Sequence, residues 1–443
     1  MLLPTRIENG KFNIAVLDGA RAIACLSVVG YHITWGTLNQ FWSIHIGVLT
    51  SSVFLIGYSG VTLFFILSGF LLFLPYARAL LFQASWPSAR QFLGRRAFRT
   101  MPGYYAALFL LVVLQHTEYL QPRHLQELAL FLTFQMDATR LTFQKLNGPF
   151  WTLAIEWQYY LLLPLLALFF RWIVARGSLR WRWWSLVTCL LVMIGWGVLS
   201  RYLGYYYTRH PDEILLVSRP VLNVILFFTF GTTGKYLEDF AVGMLLSCCY
   251  VLAQREHELG HLIQGIRRVS TWCWRIGILM LVFMALWNLY HRFQVTLPGF
   301  HRIFAHLERS SNGVTGFVWS SEILLSCGYG CCLLALLFGP DWLKRPFEWP
   351  ILCQIGLISY SIYIWHLPLL RVFLEHVGEY TAGWNHYLVL GLCCLFVPLV
   401  VLPFSHMMYR SIELPWIRAG SRLLATKPSY QPEGHLQVSV RSH

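Results

Sequence analysis

The sequence predicts an all-α membrane protein, a polytopic bundle of about ten transmembrane helices with both termini in the cytoplasm. Three observations carry that expectation. The 443 residues are 56% hydrophobic and only 12% charged, where a soluble domain has about 25% charged residues. Mean hydropathy is +0.53. Apolar runs of about 20 residues, each long enough to cross a bilayer, recur from one end to the other. Inside lipid the backbone must satisfy its own hydrogen bonds, so such runs are helices. A barrel would need alternating ten-residue segments, and the sequence has none.

Charged breaks divide the chain into runs at about 14–38, 53–77, 101–117, 150–171, 184–203, 237–254, 272–290, 317–338, 350–374 and 386–409. An eleventh stretch, 214–231, is interrupted by Pro220 and reads as a buried or re-entrant part of a long loop. Lysines and arginines concentrate in alternate connections, which puts both termini inside by the positive-inside rule. The first run contains Asp18, Arg21 and His32, which the core of a cleavable signal would exclude, so it is expected to remain as a span. Residues 1–11 read as a cytoplasmic start, 12–418 as one membrane domain, and 419–443, polar and holding two prolines, as a disordered tail.

The net charge of +14 fits loop charge of this kind better than a nucleic-acid surface, and no nucleic-acid partner is expected. Most of the eleven cysteines lie in apolar runs without a C-x-x-C pair, and read as small buried side chains rather than disulfides or a zinc site.

The run LDGARAIACLSVVGYH carries the sharpest signal. Arg21 and His32 are separated by nearly three helical turns, so they share one side of the helix about 16 Å apart. Asp18 lies one turn before Arg21 and can pair with it. An ionisable group within a span is costly unless paired or facing water. The plain reading is a satisfied set; the functional one is a polar cavity. Later spans add Glu156 and His366, which the expected topology places in the outer half with His32. A carboxylate beside an imidazole fixes its tautomer and raises its basicity, as proton abstraction from a hydroxyl requires. At the other end, QFLGRRAFRTMPGYY sets Arg95, Arg96 and Arg99 beside the Arg21 end. These read either as ordinary inner-loop charge or as a phosphate clamp, since guanidinium forks suit phosphate oxygens.

In these stretches the chain resembles the acyltransferase-3 family of membrane acyltransferases, whose members O-acetylate O-antigen, peptidoglycan and exopolysaccharide. The opening motif places Arg21 and His32, and GRRAFRTMPGYY resembles the basic motif. FWTLAIEWQYYLLLP resembles the W-S/T-L-x-x-E motif and places Glu156. SYSIYIWHLPL resembles the S-Y-x-x-Y-x-x-H motif and places Tyr363 and His366. FFILSGF, EDFAVGM and YRSIELP are weaker matches. Two departures stand out: Trp157 follows Glu156 where the family often has a second glutamate, and Lys235 stands where arginine is frequent.

The resemblance implies an acyl-CoA co-substrate, usually acetyl-CoA, with no bound cofactor and no metal. Arg95, Arg96 and Arg99 would hold its phosphates, with Arg21 along the pantetheine route. His32 would be general base or transient acyl carrier, and Glu156 would orient it or balance its charge. Tyr363 and His366 would line the acceptor side. The implied acceptor is a hydroxyl of a carbohydrate or a lipid-linked molecule, and the location a bacterial plasma membrane. A separate extracytoplasmic protein would supply the esterase-like domain that many relatives carry fused.

Two rivals remain at this level. Buried charges and broken helices also occur in transporters of glycan or lipid intermediates. His257-Glu258-Leu259-Gly260-His261 spells the H-E-x-x-H pattern of zinc proteases, although it reads as a charged cytoplasmic loop without a third ligand.

Overall fold

A computed structural model describes residues 6–8, 11–13, 15–34, 53–213, 217–254, 256–293, 299–309, 318–378, 380–381 and 383–424. After a short antiparallel hairpin of Arg6–Glu8 and Lys11–Asn13, the architecture is helical. The helices are α1 Ala15–Tyr31, α2 Gly60–Phe82, α3 Ala89–Leu114, α4 Leu125–Leu132, α5 Phe150–Val174, α6 Leu179–Arg209 and α7 Arg219–Thr229. They continue with α8 Leu237–Ala253, α9 Glu256–Phe293, α10 His301–Arg309, α11 Val318–Phe338, α12 Pro350–Leu357 and α13 Ser359–Val377. The last, α14, covers His386–Leu423 and is interrupted by π-helical turns at Val397–Val401 and Tyr409–Glu413.

Among the described residues, eight helices are long and apolar enough to cross a membrane. The pair α12 and α13, bent by 75°, makes a ninth if it is one span. Of the ten expected runs, α8 is not among these: it has 17 residues, about 25 Å of helix, at the short end of what crosses a hydrocarbon core of about 30 Å. Three other boundaries also move. The third span begins at Ala89, where the Ser88 side chain caps the Gln91 amide, so the arginine motif lies inside a helix rather than at its edge. The re-entrant candidate is helical only over α7, 11 residues with Val221, Val224, Ile225 and Phe228 exposed, so it is neither buried nor long enough to span. The H-E-x-x-H stretch lies in α9 rather than in a loop, and its side chains are outside the described residues. Helix α14 runs past the expected boundary at 418 to Leu423, and 425–443 lies outside the described residues.

The outer surface carries many exposed large apolar side chains, among them Phe109, Leu165, Phe169, Trp172, Val192 and Leu279. Exposure on this scale suits lipid, since soluble monomers rarely show large contiguous apolar patches. The chain is therefore a multi-pass membrane protein.

Two cores build the interior. One joins α2, α5, α6, α8 and α11 through residues such as Phe70, Tyr159, Leu190, Phe240 and Leu336. The other joins α1, α3, α5, α13 and α14 through Val28, Tyr104, Phe150, Ile362 and Val401. Glycines bring α2 and α8 into backbone contact: a Cβ at Gly69 would stand 2.2 Å from the Phe240 carbonyl, and one at Gly243 would stand 2.0 Å from that of Ile66. Small residues at a crossing are the means by which apolar helices associate in lipid, where burial alone drives little. Helices α1 and α5 contribute to both cores. The polar residues singled out above lie on these two helices and their neighbours.

Candidate active site

Helix α1 supplies both ends of the site. Asp18 and Arg21, one turn apart, pair at 3.1 Å. Three turns on, His32 falls in a π-helical turn at 32–34, where α1 ends in the described residues. Single π turns recur at functional sites because they re-aim a side chain.

Beside the Arg21 end lies a cavity of about 800 Å³, within the usual range of about 300–1,000 Å³ for small-molecule sites. Arg21, Arg95, Arg96, Arg99, Glu156 and Tyr363 all line it. Arg96 and Arg99, at i and i+3 on α3, share a helix face. Among the described residues neither has an ion pair, and the Nε of Arg96 is buried without a hydrogen-bond partner. Buried guanidinium donors without acceptors are uncommon, and this one suits an anionic ligand. The only carboxylates lining the cavity are Asp18, paired with Arg21, and Glu156. Glu156 accepts a hydrogen bond from Ser68 Oγ at 2.7 Å. The cavity is therefore strongly electropositive at its arginine end.

Three of its lining residues, Phe64, Thr152 and Tyr363, are fastened to one another. Thr152 gives its hydroxyl proton to the Pro149 carbonyl at 2.9 Å. A hydroxyl has one proton to give, so Tyr363 Oη donates to Thr152 Oγ1 across 2.7 Å. Phe64 meets the Tyr363 ring edge to face, centroids 5.6 Å apart. Neither His32 nor His366 lines the cavity; the His366 ring stands 6.0 Å from that of Tyr363, centroid to centroid.

The two histidines bond one another. His366 Nε2 lies 3.0 Å from His32 Nδ1, and His366 Nδ1 lies 2.9 Å from the Ile362 carbonyl. A carbonyl can only accept, so His366 Nδ1 carries the proton and Nε2 of the neutral ring is the acceptor. His32 must then donate from Nδ1, which leaves a lone pair on His32 Nε2. That atom faces Gly148, where a Cβ would stand 3.8 Å from it and 2.8 Å from Leu367 Cδ2. The neighbouring Asn147 is fixed by donating from Nδ2 to the Ile364 carbonyl at 2.9 Å, and its Oδ1 is buried without a partner.

Glu156 accepts from Ser68, and the side-chain hydrogen-bond partner of His32 is His366. Gly148, just before α5, faces Leu367 and Thr152 meets Tyr363; Glu156, a turn beyond Thr152, lines the cavity with the arginines.

Several polar residues were not singled out by sequence reasoning. Arg201 is fully buried against Glu238, lies 4.0 Å from Glu322, and sits over the Tyr236 ring at 4.4 Å. Ser326 donates to Asp239, and Thr62 donates to Glu322 at 3.1 Å. Lys235, the departure from arginine noted above, is paired with Asp137. Glu413, in the second π turn of α14, accepts from Ser361. Charges inside apolar runs were the available signal for Arg201 and Glu322. Among the described residues no group of His, Cys, Asp and Glu is placed to hold a metal ion.

A helical membrane bundle that sets an arginine-lined cavity near a hydrogen-bonded imidazole pair has the parts of a group-transfer enzyme. The sequence model of the acyltransferase-3 family, described as an acyltransferase domain, matches residues 14–403. The chain belongs to that family and carries its acyltransferase domain. It is similar to a protein of Staphylococcus aureus strain COL provisionally named an O-acetyltransferase, 23% identical over 450 residues, covering 94% of this chain and 59% of the relative. A protein of strain MRSA252 with the same provisional name aligns with the same identity and coverage. The peptidoglycan O-acetyltransferase OatA of Listeria monocytogenes serovar 1/2a is 24% identical over 380 residues, covering 80% of this chain and 49% of OatA. The chain thus spans between half and three-fifths of the length of these relatives. No solved structure matches it.

Proposed function

We propose that the protein is a membrane O-acetyltransferase that moves an acetyl group from acetyl-CoA to a hydroxyl of a cell-envelope carbohydrate or lipid-linked glycan. The observation that carries this is the proton arrangement of the imidazole pair, which leaves His32 Nε2 with a lone pair. That nitrogen takes the proton of the acceptor hydroxyl as its oxygen attacks the thioester carbonyl. The C–O bond forms, the C–S bond breaks, and the same nitrogen returns the proton to the CoA thiolate. His366 accepts the His32 Nδ1–H throughout, holding the ring in one tautomer. Among the described residues no carboxylate hydrogen-bonds His32, so its imidazolium is short-lived, which suits a shuttle that reloads at once. The same lone pair would serve a transient acyl-imidazole; isolation of an acetylated His32 peptide after acid quench distinguishes that route.

The donor end follows from charge. Arg95, Arg96 and Arg99 bind the CoA phosphates, with the open Nε of Arg96 as one donor, and Arg21 lies along the pantetheine arm. Charge-assisted bonds from guanidinium to phosphate are among the strongest available to a protein. Tyr363 stands between donor and acceptor sides. The name of the listerial relative supports a glycan acceptor, and the run of apolar helices supports a place in a bacterial plasma membrane. The test is direct. Purified protein in detergent should release CoA from acetyl-CoA when glycan is added, whereas a carrier would do nothing without a sealed membrane. Cell-surface glycans should lose acetyl groups, by mass spectrometry, when the protein is absent. Unchanged glycans and intact acetyl-CoA would refute the reading.

A further inference from the structure

The arginine cavity and the histidine pair are both parts of the proposed site, yet neither histidine lines the cavity, whereas Phe64, Thr152 and Tyr363 do. These three are fastened together by the Tyr363–Thr152 hydrogen bond of 2.7 Å and the edge-to-face contact of Phe64 with Tyr363. The Tyr363 ring stands 6.0 Å, centroid to centroid, from that of His366, which stands 5.0 Å from that of His32. The contacts that link the cavity lining to His32 therefore run through Tyr363 and its two partners.

We infer that Phe64, Thr152 and Tyr363 form a gate that selects short acyl chains, because the acyl end must pass between the Phe64 and Tyr363 rings to reach His32. This rests on the transferase reading and names its donor specificity. Passage breaks the Tyr363–Thr152 bond and parts two packed rings. A methyl group needs the least opening, and each added methylene needs more. The closed gate also keeps the thioester from attack by water on the acceptor side when no acceptor is present. Opening adds no bond change of its own: the C–O bond still forms, the C–S bond still breaks, and the acceptor's proton still leaves on the CoA thiol. Thr152 and Tyr363 act here as positioning residues, held by Pro149 and by one another. Phe64 sets the width.

The experiment uses the full chain in lipid nanodiscs with acetyl-, butyryl- and hexanoyl-CoA, and a soluble N-acetylglucosamine oligomer as probe acceptor. Thiol release and ester formation are both measured. The wild type should prefer acetyl over butyryl by about tenfold or more, the scale on which an apolar pocket discriminates added methylenes. Phe64→Leu and Phe64→Ala should bring that ratio down to about threefold or less. Tyr363→Phe keeps the ring and deletes the donated hydrogen bond; it should raise thiol release without acceptor relative to ester formation. Monodisperse elution and an unchanged melting temperature identify the folded variants, and Phe64→Leu is the milder of the two at Phe64. If folded Phe64 variants keep the wild-type ratio, or Tyr363→Phe keeps the wild-type partition between water and glycan, the gate is wrong while the transferase reading stands. If the wild type releases thiol from none of the three donors, both fall.

Discussion

Replacing His366 by phenylalanine tests the tautomer argument quantitatively. The side chain is fully buried, and its Nε2 accepts the His32 Nδ1–H at 3.0 Å. Phenylalanine keeps an aromatic ring there and removes the acceptor. The loss of this part-buried hydrogen bond is worth about 0.5–1.5 kcal/mol, rising to about 1–3 kcal/mol where the His32 N–H is left without an acceptor. At 1.36 kcal/mol per tenfold, kcat should fall about 5- to 150-fold. The His32 ring is then free to place its proton on Nε2, where it blocks the lone pair. His32→Ala removes the base itself and should cost about 10²–10⁴-fold. His366→Gln, whose carbonyl can reach towards His32 Nδ1, should recover part of the loss. Donor KM should move little in all three, because neither histidine lines the arginine cavity. The assay is initial-rate CoA release in nanodiscs with a glycan acceptor. Wild-type kcat in His366→Phe would refute the reasoning. So would a loss as large as that of His32→Ala, since it would make His366 the base.

Other consequences follow from the same geometry. Arg96→Ala should raise the donor KM about tenfold and leave the acceptor KM near wild type, with Arg96→Lys between, because one charge-assisted bond to phosphate contributes about 1.5–3 kcal/mol before water replaces part of it; an unmoved donor KM in a titration of acetyl-CoA would count against the clamp. Gly148→Ala places a methyl 3.8 Å from His32 Nε2 and 2.8 Å from Leu367 Cδ2, and should lower kcat/KM for the acceptor more than for the donor in a two-substrate matrix. Arg201→Met leaves Glu238 and Glu322 buried without their cation; breaking such a pair costs about 3–5 kcal/mol, and a drop in melting temperature in detergent, partly restored by adding Glu238→Gln, is the expected result.

How much of this was legible beforehand depends on whether a feature is local. The Arg21–His32 spacing is a property of one helix, and so is the shared face of Arg96 and Arg99; both could be read from period alone. The all-α membrane class followed from composition and run length. The His32–His366 bond could not be read, because it depends on how α1 packs against α13 and on the π turn at 32–34. Glu156 was assigned to His32 from its depth along a span. Depth is a coarse coordinate: one turn separates Thr152, which meets Tyr363, from Glu156, which meets Ser68. Helix α8 was counted as a span from its apolar run, but its length is at the short end for crossing and 14 of its side chains are buried, down to Glu238 and Asp239. The Arg201 cluster shows the same limit, since each charge was visible in the sequence while the partners of Arg201 lie on two other helices.

The measurement that bears most directly on the central claim is acetyl transfer by His32→Ala. Wild type and variant, matched for elution profile and melting temperature in nanodiscs, are given isotopically labelled acetyl-CoA and a glycan acceptor, and labelled ester is counted. The account predicts ester formation by the wild type, near-background formation by the variant, and labelled acetyl-CoA still bound at the arginine cavity of both. Ester formed by His32→Ala at the wild-type rate would contradict it.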